Sequence, residues 1–131
     1  MNIYCCKCDG DVNADLVSGS DIYKHRKDLS SLSFYRCGEC NNYVGCHKGT
    51  QTPLGVIPTD EIRKARTKIH EILDPIWREH GRSRNEVYKE MSRYSGINPY
   101  HTAEIRSMDQ ARKAYRAAYM ISIEAYEMID I

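Results

Sequence analysis

Two pairs of cysteines carry the clearest chemical signal in the chain. Cys5 and Cys8 form one pair, Cys37 and Cys40 form the other, and each pair encloses two residues. A gap of two residues lets a backbone turn aim both sulfurs at one ion, and Zn²⁺ binds four such thiolates tetrahedrally. Because four protein ligands leave no position for water, the sequence predicts one structural Zn²⁺ rather than a catalytic ion.

The two remaining cysteines have less certain chemistry. Cys6 is predicted to point outward, because its neighbour Cys5 has the favourable two-residue gap to Cys8. Cys46 and the adjacent His47 have three interpretations: ligands of a second metal, a nucleophile with its base, or the end of a strand. Adjacent side chains on a strand point to opposite faces, so only one of these two is expected to face inward.

Two basic surfaces are candidates for binding phosphate. One is the loop that begins at His47 and Lys48, which either presents a cation and exposed amides to a phosphate or simply leaves the ribbon as a turn. The other is a stripe of residues three or four apart on a predicted helix, joined by Arg84. The stripe consists of Arg63, Arg66, His70, Asp74 and Trp77. It either grips phosphates and stacks on a base, or binds the tyrosines and acids of the ribbon in a structural contact.

Short apolar runs separated by polar turns predict the strands of a meander before the helices begin. The predicted strands cover residues 12–17, 22–23, 32–35 and 43–44. A first helix is predicted from Asp60, with Pro75 expected to kink or interrupt its last turn. Its predicted apolar positions are Ile62, Ala65, Ile69, Leu73 and Ile76.

Two capping signals predict two more helices. Ser83 and Glu86 have capping-box spacing, and with Gly96 as the C-cap they predict a helix over residues 84–95. Ser107 and Gln110 repeat that spacing and open the third helix. Residues 101–106 are expected to form one extra helical turn between them.

The third helix has apolar groups on more than one face. Its predicted apolar positions include Ala111, Tyr115, Ala118, Tyr119, Tyr126 and Ile129. A helix that is apolar on two sides needs two neighbours. The second neighbour is either this chain's own core or a partner that contacts Tyr115, Tyr119 and Tyr126, since aromatic residues are enriched at interfaces. That partner would be a host protein or a second copy in a homodimer.

These elements predict an α+β fold, with a four-cysteine zinc ribbon of short antiparallel strands packed on a bundle of about three helices. The predicted divisions are a ribbon over 1–50, a connector over 51–58 and a helical region over 59–131, folding as one cooperative unit.

The formal net charge is only +1, but residues 62–118 hold thirteen Lys or Arg against seven Asp or Glu. Such a basic region suits nucleic acid or an acidic protein, or is simply solvated. Neither a signal peptide nor a long apolar run is evident, which predicts a cytoplasmic protein without a membrane partner.

Several strings in the chain resemble one family. These are Phe-Tyr-Arg-Cys at 34–37, Tyr-Val-Gly-Cys-His-Lys-Gly-Thr at 43–50, Pro-Leu-Gly at 53–55 and Asp-Pro-Ile-Trp at 74–77. Together they look like a phage-associated "zinc-finger-containing domain" family of uncharacterised function, over about residues 5–105. The resemblance implies a small phage or prophage protein acting in a bacterial host, with a zinc ribbon followed by helices. It implies no established activity.

Three functions are therefore open. The leading hypothesis is a zinc-ribbon binding module that contacts nucleic acid or a host nucleic-acid-processing complex. The alternative is an inhibitor or adaptor directed at a host defence protein, acting through the tyrosine-rich third helix. A metal-assisted nuclease around His47, His70 and His101 is a minor alternative, because carboxylates at ligand spacing are missing from the sequence. A binding protein is thus favoured over an enzyme.

Overall fold

The chain forms two compact units in a computed structural model that describes the backbone of residues 1–127 and the side chains of residues 1–125. The first unit is Met1–Thr59 and the second begins at Asp60. Antiparallel strands make up the sheet of the first unit, and the three long helices belong to the second. The predicted α+β fold, with a four-cysteine ribbon followed by about three helices, is confirmed.

The first unit is a four-stranded antiparallel meander in the order β1-β2-β3-β4. Its strands are β1 Asn2–Cys5, β2 Gly10–Ser18, β3 Ser33–Cys37 and β4 Tyr43–Gly45. Strand β1 was not expected from the sequence, because it is only four residues long and ends on the first zinc-ligand candidate. In the register, Cys5 pairs with Gly10 and Ala14 pairs with Cys37, so both cysteine pairs begin at strand ends.

One face of this sheet closes over a small core. The core contains Ile3, Cys5, Ala14, Tyr35, Cys37, Val44 and Ile57. Ile57 reaches it from the segment 51–58, where its amide donates to the Tyr4 carbonyl at 2.9 Å and its carbonyl accepts from the Cys6 amide at 2.9 Å. The segment that the sequence assigns to a connector therefore belongs to the first unit.

The predicted strand over residues 22–23 is wrong. Helix α1, Gly19–Ile22, is a single turn at this place. Ser18 opens the turn, and the Asp21 carboxylate accepts hydrogen bonds from both the amide and the hydroxyl of Ser18 at 3.1 Å. Local capping by short polar side chains overrides the β propensity of the following apolar pair.

The second unit contains three long helices: α2 Asp60–Glu79, α3 Arg84–Ser95 and α4 Met108–Glu127. Helix α3 has the bounds predicted from its caps. The Glu86 amide donates to the Ser83 hydroxyl at 3.1 Å, and Gly96 ends the helix in the left-handed region with φ 76°. The predicted extra turn is also present, as a 3₁₀ helix over Thr102–Glu104.

Helix α2 continues through Pro75 for four further residues. An interruption at this proline, one of the two outcomes expected from the sequence, is therefore wrong. Proline removes one backbone hydrogen bond from a helix. Leu73 and Ile76 on either side are fully buried, and this burial keeps the chain helical because packing of an apolar face supplies most of a helix's stability in a protein.

The buried face of α4 is built mainly from small residues: Ala111, Ala114, Ala117, Ala118, Ile121 and Ala125. Ala111 and Ala118 are thus buried as expected, whereas Tyr115 and Tyr119 are exposed. Alanines allow the neighbouring helices to approach closely, and this leaves no room for tyrosine rings on the same face. The side chains of Tyr126 and Ile129 lie outside the described residues.

Candidate metal centre and basic groove

The sulfur atoms of Cys5, Cys8, Cys37 and Cys40 all lie within 4.8 Å of one another. The Cys5 and Cys40 sulfurs are 3.5 Å apart, and the Cys8 and Cys37 sulfurs are 3.8 Å apart. Four sulfurs held tetrahedrally at about 2.3 Å from one ion lie about 3.8 Å from each other. The four cysteines therefore have the geometry of a site for one structural Zn²⁺.

The same local device shapes both cysteine pairs. The residue directly after each second cysteine, Asp9 or Asn41, adopts a positive φ, of 53° and 66° respectively. Asp and Asn tolerate this left-handed conformation better than other residues with side chains. The Tyr4 hydroxyl fixes the first turn by donating to the Asp9 carboxylate at 2.6 Å. The backbone N–H of Asn41 closes the second turn by donating to the Cys37 carbonyl at 2.9 Å.

Thiols this close together ionise unequally. Burial, followed by hydrogen bonding with Cys37, Cys5 and Cys40, raises the pKa of Cys8 to about 12. Burial also raises the pKa of Cys37, but hydrogen bonds from the amides of Cys40 and Glu39 bring that pKa below its usual value. A dication supplies the positive charge that four crowded thiolates lack, and it deprotonates its thiol ligands. The donor set fits Zn²⁺, whose role here is to cross-link two turns of the ribbon.

The other two cysteines stand outside the cluster. The Cys6 amide donates to the Ile57 carbonyl, but its sulfur is not among the four gathered sulfurs. Cys46 is half-buried against the core and His47 is exposed, so Cys46 is the inward member of the pair. Among residues 1–125, whose side chains the structure describes, no second group of three His, Cys, Asp or Glu brings its ligand atoms this close.

The predicted basic stripe on α2 makes contacts inside the second unit. Arg63 forms an ion pair with Asp60 at 3.3 Å, and an Arg66 guanidinium nitrogen donates to the Ile105 carbonyl at 2.8 Å. Both arginine residues are half-buried. Both arginines are therefore engaged within the helical unit, and the predicted contact with the ribbon stays a prediction.

Aromatic contacts continue the stripe toward α3. The His70 ring meets Trp77 edge-on at a centroid distance of 6.5 Å, and Trp77 meets Tyr88 at 6.2 Å. The Arg84 guanidinium lies over the Trp77 ring at 4.8 Å. Burial lowers the pKa of His70, with Asp74 acting in the opposite direction, so its imidazole favours the neutral form. These three rings and the one guanidinium hold α2 and α3 together.

A basic groove between α2 and α4 was missed by the sequence analysis. The groove has a volume of about 490 Å³, and its lining is Glu61, Lys64, Ala65, Lys68, Met108, Ala111, Arg112, Tyr115 and Arg116. We call it the α2/α4 groove. The signal was present in the sequence as two pairs of cations four residues apart, but their meeting depends on how the two helices pack.

Cations outnumber acids among the described residues that line the α2/α4 groove. Lys64, Lys68, Arg112 and Arg116 are exposed, and the described residues provide none of them with an ion pair. Within the described part of the chain, Glu61 is the single acidic residue of the lining. The groove therefore carries an excess of positive charge.

Two of the three predicted interface tyrosines are exposed on α4. Tyr115 is 45% exposed and Tyr119 is 56% exposed, while the side chain of Tyr126 is outside the described residues. Met120 and Ile123 are exposed next to them. An apolar outer surface on α4 is thus present, beside the α2/α4 groove that Tyr115 lines.

A family model described as a zinc-finger-containing domain matches residues 2–121 of the chain. Comparisons with curated proteins and with solved structures give no match. Within the described residues, none of the helices has the length and apolar character needed to cross a membrane.

Proposed function

The chain belongs to the family of zinc-finger-containing domains, and from this premise we propose that it is a non-catalytic binding module whose partner is a nucleic acid. The observation that carries the proposal is the excess of positive charge in the α2/α4 groove. A local excess of cations over acids is the usual electrostatic footprint of a phosphate-binding surface. The zinc centre supports the ribbon and takes no part in chemistry, because its four thiolates leave no open position.

The predicted binding residues have different places in this proposal. Arg63, Arg66, His70, Trp77 and Arg84 make contacts that hold the helical unit together, and contact with nucleic acid remains a prediction for them. His47 and Lys48 are exposed beside the ribbon's last strand, and their binding role is also a prediction. The phage origin and the bacterial cytoplasm as the site of action belong to the same proposal.

Titration of fluorescently labelled DNA and RNA at two salt concentrations tests the proposal. Binding that depends on several phosphate contacts weakens steeply as salt rises, because counterions are released on binding. Lys64→Gln/Lys68→Gln should weaken binding about tenfold and reduce the salt slope by about 2.

The matched control is Lys24→Gln/Lys89→Gln, which removes two exposed lysines that do not line the groove and gives the same net charge. It should bind nearly as the native chain does. Absence of binding at low salt would contradict the proposal, and so would equal losses in the two double variants.

An alternative function is favoured by a different observation, the exposed apolar surface on α4. Tyr119, Met120 and Ile123 offer an aromatic and aliphatic surface of the type enriched at protein interfaces. The partner would be a host defence or nucleic-acid-processing protein, or a second copy of the chain. Tyr119→Ser/Met120→Ser should then abolish capture of one specific bacterial protein, or dimerisation measured by analytical ultracentrifugation, without changing nucleic-acid binding. Weaker nucleic-acid binding, with protein capture and dimerisation unchanged, would count against this alternative.

The nuclease hypothesis has no comparable support. Its three histidines do not belong to any close group of potential metal ligands within the described residues. We therefore propose no reaction for this protein.

A further inference from the structure

The lining of the α2/α4 groove divides into charged and apolar parts. Lys64 and Lys68 project from α2, and Arg112 and Arg116 project from α4, all four exposed. The remaining lining consists of the exposed Glu61 and of four largely apolar side chains: Ala65, Met108, Ala111 and Tyr115. Ala111 is buried, and Ala65 and Met108 are half-buried, so these side chains lie deeper than the cations. The groove thus has cationic edges and an apolar floor.

The cations on each edge are one helical turn apart. Four residues of α-helix span about 6 Å, which separates Lys64 from Lys68 and Arg112 from Arg116. Successive phosphates of one nucleic-acid strand lie a comparable distance apart in space, because the backbone winds around the helix axis as it advances. The spacing of the edges therefore suits a phosphate backbone, whether the strand is paired or unpaired.

The apolar floor is the feature that separates single-stranded from double-stranded ligands. In a duplex the base faces are covered by stacking, and only the backbone and the groove edges of the bases are open to a protein. A duplex would therefore place no apolar surface against the floor of the groove, and the floor would add nothing to its binding. Unpaired bases have exposed faces, and they stack on aromatic rings whatever their sequence.

Tyr115 provides such a ring. Its side chain is 45% exposed although it lines the groove. Arg112, three residues before it, lies on the same side of α4, and Arg116 lines the same groove. An acidic amphipathic helix would meet the same charges, but helix-binding grooves hold anchor residues in separate pockets. Alanine methyl groups beside one ring offer a flat surface, which suits a planar base better.

Resting on the proposed function, we infer that the α2/α4 groove binds a short stretch of single-stranded nucleic acid. One base stacks on Tyr115, while Lys64, Lys68, Arg112 and Arg116 contact the flanking phosphates. Recognition by stacking and charge is tolerant of sequence. The protein is therefore expected to distinguish unpaired from paired nucleic acid more strongly than one base from another.

The test uses the zinc-loaded full chain and a labelled mixed-sequence oligonucleotide of 12 nucleotides, alone and annealed to its complement, at low salt. We expect the single strand to bind at least tenfold more tightly than the duplex. Tyr115→Leu should weaken single-strand binding about tenfold, because it removes the ring on which the base stacks. Duplex binding should be unaffected, and Tyr115→Phe should retain the native affinity.

Tyr119→Leu is the matched control, since Tyr119 is exposed on the same helix but does not line the groove. Equal or tighter duplex binding, or equal losses for Tyr115→Leu and Tyr119→Leu, would overturn the inference and leave the proposed function standing. No binding of either form would overturn both. Tighter binding of an acidic helical peptide at this groove, measured by competition with the single strand, would also overturn the inference. Circular dichroism of the variants excludes loss of folding as the cause.

Discussion

The two units of the chain are stabilised by different means and present different surfaces. The first unit has a core of seven buried residues, two of which are the zinc-site cysteines Cys5 and Cys37. The second unit buries aliphatic faces from all three long helices, including Leu73, Ile76 and Ile121. A core as small as that of the first unit usually needs a metal or a disulfide, whereas three packed helices do not.

The difference also separates structure from proposed binding. In the first unit, four of the six cysteines bring their reactive thiols together at the metal site, where they serve folding. In the second unit, Lys64, Lys68, Arg112 and Arg116 point outward without ion pairs in the described part of the chain. The more reactive residues are thus structural, and the more ordinary ones are the candidates for function.

Loss of the metal should produce the largest effect, and it should be confined to the first unit. Zinc binding contributes on the order of 10 kcal/mol to the folding of small finger peptides, which exceeds what the ribbon's apolar core supplies. Cys37→Ser should therefore unfold residues 1–59, while the helices of the second unit persist. Amide NMR spectra resolve the two sets of signals, and metal analysis of the native chain should give one zinc.

Cys6→Ser is the control for that experiment, since Cys6 is a neighbouring cysteine outside the cluster. It should retain zinc and the native spectrum. If the native signals of both units disappeared in Cys37→Ser, both units would depend on the metal, and the proposed difference between them would be wrong.

A cavity in the second unit should have the next largest effect. Leu73 is fully buried, and Leu→Ala changes in protein cores cost about 2–5 kcal/mol. We expect Leu73→Ala to lower the free energy of helix unfolding in urea by about 3 kcal/mol, with the zinc content unchanged. Leu16→Ala, at an exposed leucine, should change stability by less than about 0.5 kcal/mol. Loss of zinc from Leu73→Ala would contradict the contrast between the units.

Gly19 allows a smaller but specific test in the first unit. A Cβ atom added at Gly19 would lie 1.6 Å from the carbonyl oxygen of Leu29, so the backbone would have to move. Overpacking of this kind costs about 1–3 kcal/mol. Gly19→Ala should therefore lower the unfolding midpoint of the zinc-loaded ribbon.

Gly10→Ala provides the comparison, because an added Cβ there meets nothing within 4 Å. It should be nearly neutral in the same denaturant titration. If the two alanine variants unfolded alike, the close approach at Gly19 would not matter to the ribbon.

The smallest expected effect is a pH dependence in the second unit. Burial, aided by Arg84 and Arg66 and opposed by Asp74, lowers the pKa of His70 in the folded protein. The unfolded chain, with an ordinary pKa near 6.5, then binds more protons. The stability that neutral His70 contributes to the helical unit is fully present above about pH 6.5. It is lost as the pH falls through the lower pKa of the folded state.

His70→Gln removes this contribution. Its helical unit should lose less stability than the native one when pH is lowered from 7.5 to 5.5, as measured by thermal unfolding at each pH. The comparison between the two proteins cancels the acid sensitivity of the zinc thiolates. Identical pH profiles would show that His70 is not held in its neutral form.

Local sequence signals predicted the elements that depend on neighbours in the chain. The cysteine pairs identified the zinc module, because each turn is set by residues within four positions. Ser83, Glu86 and Gly96 likewise fixed the bounds of α3, since capping hydrogen bonds act within one helical turn. The same local chemistry at Ser18 and Asp21 formed α1, where apolar pattern alone had predicted a strand.

What only the tertiary structure decided involves residues distant in sequence. Lys64 and Lys68 meet the edge formed by Arg112 and Arg116 because α2 and α4 pack together, and periodicity does not encode which helices become neighbours. Packing also determines that alanines rather than tyrosines lie on the buried face of α4. By itself the sequence determined the zinc module and the helices, because their signals are local. The tertiary structure determined the α2/α4 groove and the outward tyrosines, since both arise from the helix faces that close packing leaves uncovered.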